Sequence, residues 1–235
     1  MLEQLKEEVY LANMMLKKHN LVILTWGNAS GIDESREYVV IKPSGVDYDS
    51  LSPENMTVVN MKGEVVEGEL KPSSDTATHI ELYKEYKEIG GVCHTHSMYA
   101  TSFSQAVENA PIKALGTTHA DYFYGDIPVT RPMSKKEIAG EYEKNTGLVI
   151  IETLKKQKKS PSQMPAVLVR SHGPFTFGKD AKEAAEHSLI LENVAQLAFN
   201  SKIITNVTYV KYQMQKELLQ KHFDRKHGKD AYYGQ

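Results

Sequence analysis

Two histidines one residue apart, His94 and His96, close the short apolar run "VCHTHS". On a β-strand, residues i and i+2 face the same side. A strand here therefore presents two ring nitrogens from one rigid element, and such a pair chelates a divalent cation with little rearrangement. A third neutral nitrogen or a carboxylate would complete three protein ligands and leave one position open, the mark of a catalytic zinc site rather than a structural one. His172 is the best third candidate, because it follows the strand-like "AVLVR" at a Gly-Pro turn. The plain alternative for a bare His-x-His is a hydrogen-bonded or solvent-facing pair. His19, His79 and His187 sit in helical patterns and read as structural or surface residues.

Three further segments share one chemistry: "TWGNAS" (residues 25–30), "KPSG" (42–45) and "KPSSD" (71–75). Each follows or flanks a predicted strand and offers small residues, hydroxyls and exposed backbone N–H groups. In the third, Ser73, Ser74 and Asp75 open a predicted helix, whose free N–H groups and positive dipole end attract anions. Lys42 adds charge. Taken singly, each segment is ordinary turn and capping chemistry, with Ser74 or Asp75 an N-cap worth about 1 kcal/mol. Asp75 either caps the helix or turns toward the metal.

The elements that must position these groups follow from periodicity. Leu2, Leu5, Val9, Ala12 and Leu16 recur at steps of three and four and predict an N-terminal amphipathic helix. "LVILTWGNAS" is a short apolar run ended by turn formers, and "YVVIKPSGVDY" repeats that pattern. "MTVVNMKGEVVEG" predicts a hairpin turning at Lys62-Gly63. "IGGVCHTHS" predicts a buried strand and "SFSQAVENA" a short helix. "SKKEIAGEYEKNTG" opens on a capping box of Ser134 with Glu137, and "LVIIETLKKQ" continues as helix. "PAVLVRSHGPFTFG" reads as two strands joined at His172-Gly173-Pro174. A long helix, N-capped by Asp180 with Glu183 completing the box, follows, then a last helix over "VKYQMQKELLQKHFDRKHG" stopped by Gly228. Strands and helices mix without strict βαβ alternation. The expected fold is α/β in the layered α+β sense, a central antiparallel-dominated sheet flanked by helices.

The 235 residues carry a formal net charge of −2, 40% hydrophobic residues and 25% charged residues, an ordinary globular composition. No linker or charge block divides the chain, so a single domain over residues 1–235 is expected. The interspersed charge gives no basic footprint for a nucleic acid, and no apolar run reaches the length of a membrane helix. No Gly-rich nucleotide fingerprint is present. The lone Cys93 cannot form a disulfide within the chain, which fits a reducing, cytoplasmic setting. Its side chain is expected to point away from both histidines, as a packing thiol.

Together, "LTWGNAS", "IKPSGVDY", "KPSSDTATH", "VCHTHS", "GTTHADYFYGDIP", "SHGPF" and the terminal "RKHGKDAYYGQ" resemble the class II (zinc) aldolase/epimerase family, in order and over essentially the whole chain. Among its members the resemblance is greatest to the sugar-phosphate epimerases. It implies a homotetramer with active sites between adjacent subunits, one zinc or other divalent ion per subunit, and a pentulose phosphate substrate. The implied reaction interconverts L-ribulose 5-phosphate and D-xylulose 5-phosphate by retro-aldol cleavage and re-formation of C3–C4. The family's metal positions fall on His94, His96 and His172, with Asp75 in or near the coordination sphere. Its substrate and phosphate positions fall on Gly27, Asn28, Lys42, Ser44, Gly45, Ser73 and Ser74, and those near the shared site on His222 and Arg225. Its acid/base pair falls on Asp121 and Tyr233, the latter reaching a neighbouring subunit. Thr117 and Glu143 are weaker correspondences, and His119 either orients Asp121 or is a packed polar residue. The fuculose and rhamnulose phosphate aldolases of the family carry a catalytic Glu where this chain has Asp75, which points to the epimerases.

Overall fold

The computed structural model describes residues 2–106, 110–205, 214–229 and 231. Seven strands form one antiparallel sheet: β1 (Asn28–Ile32), β2 (Tyr38–Ile41), β3 (Thr57–Asn60), β4 (Val65–Glu67), β5 (Gly91–His94), β6 (Ala166–Leu168) and β7 (Pro174–Gly178), in the order β4-β3-β2-β1-β5-β7-β6. Every pairing between named strands is antiparallel. The helices α1 (Glu3–Lys18), α2 (Thr76–Glu85), α3 (Met98–Gln105), α4 (Thr117–Ala120), α5 (Lys135–Ala139), α6 (Tyr142–Gln157), α7 (Ala181–Thr205) and α8 (Lys216–His227) flank it. Two hydrophobic clusters occupy its two sides. One gathers Val9, Ala12 and Leu16 of α1, Cys93, and Ala181, Ala184 and Ala185 of α7. The other gathers Ile80, Leu82 and Tyr83 of α2, Val92, Ile150, Leu154 and Phe175. Cys93 thus faces away from the histidine side, as its position implied, and burial pushes its thiol up to about 12. No helix among the described residues is long and apolar enough to cross a membrane.

The N-terminal helix, the helix after Asp75, the long helix after Asp180, the Lys62-Gly63 hairpin and the Ser134/Glu137 capping box are present; the helix expected from Ser134 breaks at Gly140 into α5 and α6, and that expected over "SFSQAVENA" ends at Gln105, with residues 107–109 outside the described residues. Three further local expectations need correction. The apolar run at 21–24 is loop, and β1 forms from the polar "NASGI" that follows it. This strand lies between β2 and β5, where small residues permit close approach; a Cβ on Gly31 would stand 2.9 Å from Leu5 of α1. β5 ends at His94, so His96 lies beyond the strand. At the start of α7, Asp180 Oδ1 accepts from the Glu183 N–H (2.7 Å), but the Glu183 carboxylate accepts from Lys179 N–H, one residue before the cap. The tail with Tyr233, and residues 210–213 of the last predicted helix, lie outside the described residues.

Asn13 ties α1 to β1. Its Nδ2 donates to Val9 O (2.8 Å) and Ala29 O (3.0 Å), and its Oδ1 accepts from Ala29 N–H (2.9 Å), all buried. Asn13→Ala strands two backbone groups of Ala29, at about 1–3 kcal/mol each. We expect a loss of about 3 kcal/mol, read as a fall in Tm of roughly 6–12 °C for a chain of this size.

Candidate metal centre and anion pocket

The register of β1 on β5 sets Asn28 opposite His94. From this pair the site builds outward. His94 is buried; its ring stacks on Phe175 (4.2 Å between centroids, 16° between planes). Its Nδ1 lies 2.9 Å from Pro174 O. A carbonyl only accepts, so Nδ1 carries the proton and Nε2 presents a lone pair. His96 folds back from the loop after β5 and brings its Nε2 to 3.0 Å from His94 Nε2. His172 arrives from the β6–β7 connection, held by Ser171 in the left-handed region (φ 59°). The three rings stand 4.7–5.2 Å apart and 68–72° to one another.

One ligand nitrogen from each of the three imidazoles lies within 4.8 Å of the others. Nitrogens on one tetrahedral ion sit about 3.3 Å apart, given bonds of about 2.0 Å, so small ring rotations close the set. Burial pulls His172 down to about 4, with the neighbouring His94 adding to it, and burial and His94 also lower His96. Neutral imidazoles with unshared lone pairs are what a divalent ion requires. The three residues therefore fit such an ion.

Asp75 stands at the N-cap position of α2 but does not cap the helix with its side chain. Its backbone is helical (φ −72°, ψ −1°) and its side chain makes no capping bond. Instead its Oδ2 accepts from Asn28 Nδ2 at 2.7 Å, and the same nitrogen donates to Ser73 Oγ at 3.0 Å. Burial raises the Asp75 carboxyl, but His94, His79 and the Asn28 bond outweigh it and hold it below the usual carboxylate range. Asn28 Oδ1 is buried with no partner in the chain.

A cavity of about 500 Å³ opens over these groups, lined by the three histidines, Asp75, Gly27, Asn28, Lys42, Ser44, Gly45, Ser73 and Ser74, with Thr25, Trp26 and Pro43. Every metal and phosphate candidate except His222 and Arg225 is thus in one place. Gly27 (φ +77°) passes so close that a Cβ would meet Val22 Cγ1 at 2.7 Å and His94 O at 3.0 Å. Gly45 (φ +71°) faces open space, so conformation alone calls for glycine there. The two Lys-Pro-Ser loops run antiparallel and exchange backbone bonds: Ser44 N–H to Lys71 O (2.8 Å), Ser73 N–H to Lys42 O (3.1 Å). This corrects the expectation of freely exposed N–H groups. Those of Ser44 and Ser73 are spent on joining the loops, while the N–H groups and hydroxyls available to an anion belong to Gly45, Ser74 and the Ser44 side chain.

Lys42 is almost fully buried. Its ammonium donates to Val46 O (2.8 Å), Thr25 O and Pro43 O (both 3.3 Å) and lies 4.8 Å from the Tyr48 ring centre. Burial lowers it to about 8, opposed by Asp47. It is a clamp across two loops as well as a source of charge.

Asp121, His222 and Arg225 do meet, but in a second cluster away from this lining. Asp121 Oδ1 accepts from His222 Nδ1 (2.9 Å) and Arg225 Nε (3.2 Å), and Oδ2 accepts from Arg225 Nη2 (2.9 Å). His227 Nε2 donates to the Asp121 carbonyl at 2.8 Å. His119 donates to Gly125 O (2.8 Å), so it packs its own loop rather than orienting the Asp121 carboxylate. Thr117 opens α4, and the Glu143 carbonyl accepts from Thr78 Oγ1 (2.5 Å). Two residues beside the histidines escaped sequence reasoning. Trp26 stands 6.2 Å from His96 between ring centres, and Tyr142 Oη lies 3.5 Å from His172 Nδ1. The single Trp inside "TWGNAS" was a usable signal; nothing local marks Tyr142.

Residues 7–199 match the model of the class II aldolase and adducin N-terminal domain, and the chain belongs to that family. Its fold is correspondingly similar to an L-fuculose 1-phosphate aldolase, with a TM-score of 0.76 at 22% identity over 94% of this chain and 95% of the other. A putative aldolase/epimerase/decarboxylase, YgbL from Klebsiella pneumoniae, gives 0.72 at 22% identity over 94% and 99%. The L-fuculose-1-phosphate aldolase from Thermus thermophilus gives 0.68 at 23% over 88% and 100%.

Two outcomes test this geometry. Loss of an outer partner of a metal ligand already costs 10–100-fold in affinity, so His96→Asn should weaken zinc binding by more than about 100-fold in a chelator competition, with Tm little changed in zinc-free protein. Retained stoichiometric zinc would remove His96 from the ligand set. For Lys42, the charged form is the one that holds an anion, so binding of inorganic phosphate should weaken as pH rises through about 8. Lys42→Met should abolish that pH step and weaken binding at pH 7 about tenfold, roughly 1.4 kcal/mol, followed by Trp26 fluorescence.

Proposed function

We propose that this chain is a metal-dependent L-ribulose-5-phosphate 4-epimerase, interconverting L-ribulose 5-phosphate and D-xylulose 5-phosphate as in L-arabinose breakdown. The observation that carries the reading is the single cavity in which three imidazoles face two joined Lys-Pro-Ser loops, a cation site beside an anion site. Zinc, held by His94, His96 and His172, would supply Lewis-acid stabilisation of the negative charge that carbon–carbon cleavage leaves on the ketose fragment. The chain's own groups do the rest. A base takes the proton of the C4 hydroxyl, the C3–C4 electron pair stays with C3, and an aldehyde fragment forms. The Gly45 and Ser74 N–H groups, the Ser44 hydroxyl and the Lys42 charge keep its phosphate anchored while the carbonyl turns. Re-addition on the opposite face returns the pair to a C3–C4 bond, and an acid protonates the new C4 alkoxide. Asp121 and Tyr233 are the proposed proton carriers on the two faces.

This assignment requires a second copy of the chain, because Asp121 does not line the cavity of its own subunit. Exposed Met98, Phe199, Ile203 and Ile204 supply apolar surface for association, in line with a homotetramer whose sites lie between subunits. Asp75 favours epimerisation over release of a free aldehyde. It is one methylene shorter than the Glu of the resembling aldolases, and Asn28 draws it back against β1.

The test is turnover by zinc-loaded protein. L-ribulose 5-phosphate should convert to D-xylulose 5-phosphate, and Asp121→Asn should lower kcat by about 10²–10⁴, the usual worth of a positioned acid or base, with zinc content unchanged. Cleavage of L-fuculose 1-phosphate without any epimerisation would establish the aldolase instead. Full activity in Tyr233→Phe would remove the tail from the mechanism.

A further inference from the structure

His79, which its helical setting marked as structural, is completely buried behind the metal centre. Asp75 and His79 stand one turn apart on the α2 segment, joined by the His79 N–H to Asp75 O bond (3.1 Å), so their side chains share a face. Both are reached from the same strand. Asn28 donates to Asp75, and Ser30, two residues on and facing the same side, lies 2.7 Å from His79 Nδ1. The His79 ring meets Phe175 edge-on (6.1 Å, 77°), and Phe175 is the ring on which His94 stacks.

Counting donors fixes where the His79 proton sits. Tyr83 is fully buried; its hydroxyl oxygen meets the Val92 backbone N–H, and the partner that can take its proton is Ser30 Oγ at 2.8 Å. A phenol proton left without an acceptor in the core costs about 1–3 kcal/mol, so Tyr83 donates to Ser30. The Ser30 proton then goes to its remaining neighbour, His79 Nδ1, which must be the bare nitrogen. The ring proton is on Nε2. That nitrogen is buried and has no hydrogen-bond partner in the chain. A buried polar group left so demands an explanation. One lies on its own helix face: the Asp75 carboxylate, one turn away. The opposite tautomer would leave the Tyr83 proton unmet.

We propose that Tyr83, Ser30 and His79 form a one-way hydrogen-bond chain whose end, the His79 Nε2–H, acts through its dipole on the Asp75 carboxylate and sets its orientation beside the three imidazoles. His79 is then a positioning residue, not a ligand. The inference rests on the reading of that site as a divalent-metal centre.

Solid-state NMR on the full-length protein with ¹⁵N-histidine, zinc-free and zinc-loaded, tests the tautomer. The His79 signals, assigned by their loss in His79→Gln, should show a protonated Nε2 and a bare Nδ1; a protonated Nδ1 would overturn the proposal. Zinc affinity, from chelator competition, tests the positioning. His79→Asn keeps an acceptor for Ser30 but no donor toward Asp75, and should bind zinc about tenfold more weakly, the lower end of the range for outer partners of metal sites. His79→Gln, whose amide nitrogen reaches the Nε2 position, should stay within about threefold of the parent. Equal losses in both variants, or none in His79→Asn, would reduce His79 to packing. Failure of the metal reading would appear in the parent protein, as absent zinc binding. Failure of this inference would appear in the tautomer or in the ratio of the two variants.

Discussion

The antiparallel register of β1 on β5 is the constraint on which the site depends. It sets Asn28 across from His94 and Ser30 across from Val92. From those two positions the polar side chains of β1 reach α2, Asn28 to Asp75 and Ser30 to His79. One strand therefore fixes the distance between a carboxylate on a helix and an imidazole on the next strand. A slip of one residue would turn Asn28 and Ser30 to the opposite side of the sheet and present Ala29 in their place. Asn13, which clamps both backbone groups of Ala29, opposes that slip from the α1 side.

The same register explains why a central strand carries so few apolar side chains. Burying polar groups costs free energy unless their bonds are met. Here most are met; among the exceptions, Asn28 Oδ1 lines the cavity, while Arg36 Nε and the Tyr86 hydroxyl lie elsewhere in the fold. The retention of Asn28 beside three imidazoles and a partly buried carboxylate is the pattern of a site kept at the expense of packing. Lys42 shows the same trade. Burial opposes its charge, and three loop carbonyls retain it.

Sequence reading located most of this because its signals were local. The His-x-His spacing, the two Lys-Pro-Ser turns and the Gly-Pro turn after "AVLVR" each report short-range chemistry, and all of them arrive at one cavity. Hydrophobic periodicity placed the helices for the same reason. What it misplaced depends on partners distant in the chain. β1 is a strand because β2 and β5 hydrogen-bond it from both sides, while the more apolar 21–24 segment has no strand to pair with. His96 joins His94 by a loop folding back rather than by strand alternation. The N–H groups of Ser44 and Ser73 looked available because nothing local shows that the two loops bond each other. The donor chain through His79 joins residues about fifty positions apart and leaves no periodic trace.

The placement of Asp121 outside the cavity has its own physical logic. Asp121 accepts three side-chain hydrogen bonds from α8, two of them from one guanidinium. Such bonds hold the carboxylate in one orientation, as the proposed proton carrier requires. They also tie Asp121 to the helix that leads into the C-terminal tail. Phe223 and His227 stack on one another (4.7 Å, 28°), and Lys226 lies 3.3 Å from the centre of the Tyr122 ring, next in sequence to Asp121. α8 and the segment after α4 therefore form one rigid unit, and any displacement of that unit carries Asp121 and the root of the tail together. If that unit serves the cavity of another copy, two proton carriers on opposite faces of a bond need no separate alignment: a single docking event between subunits sets both.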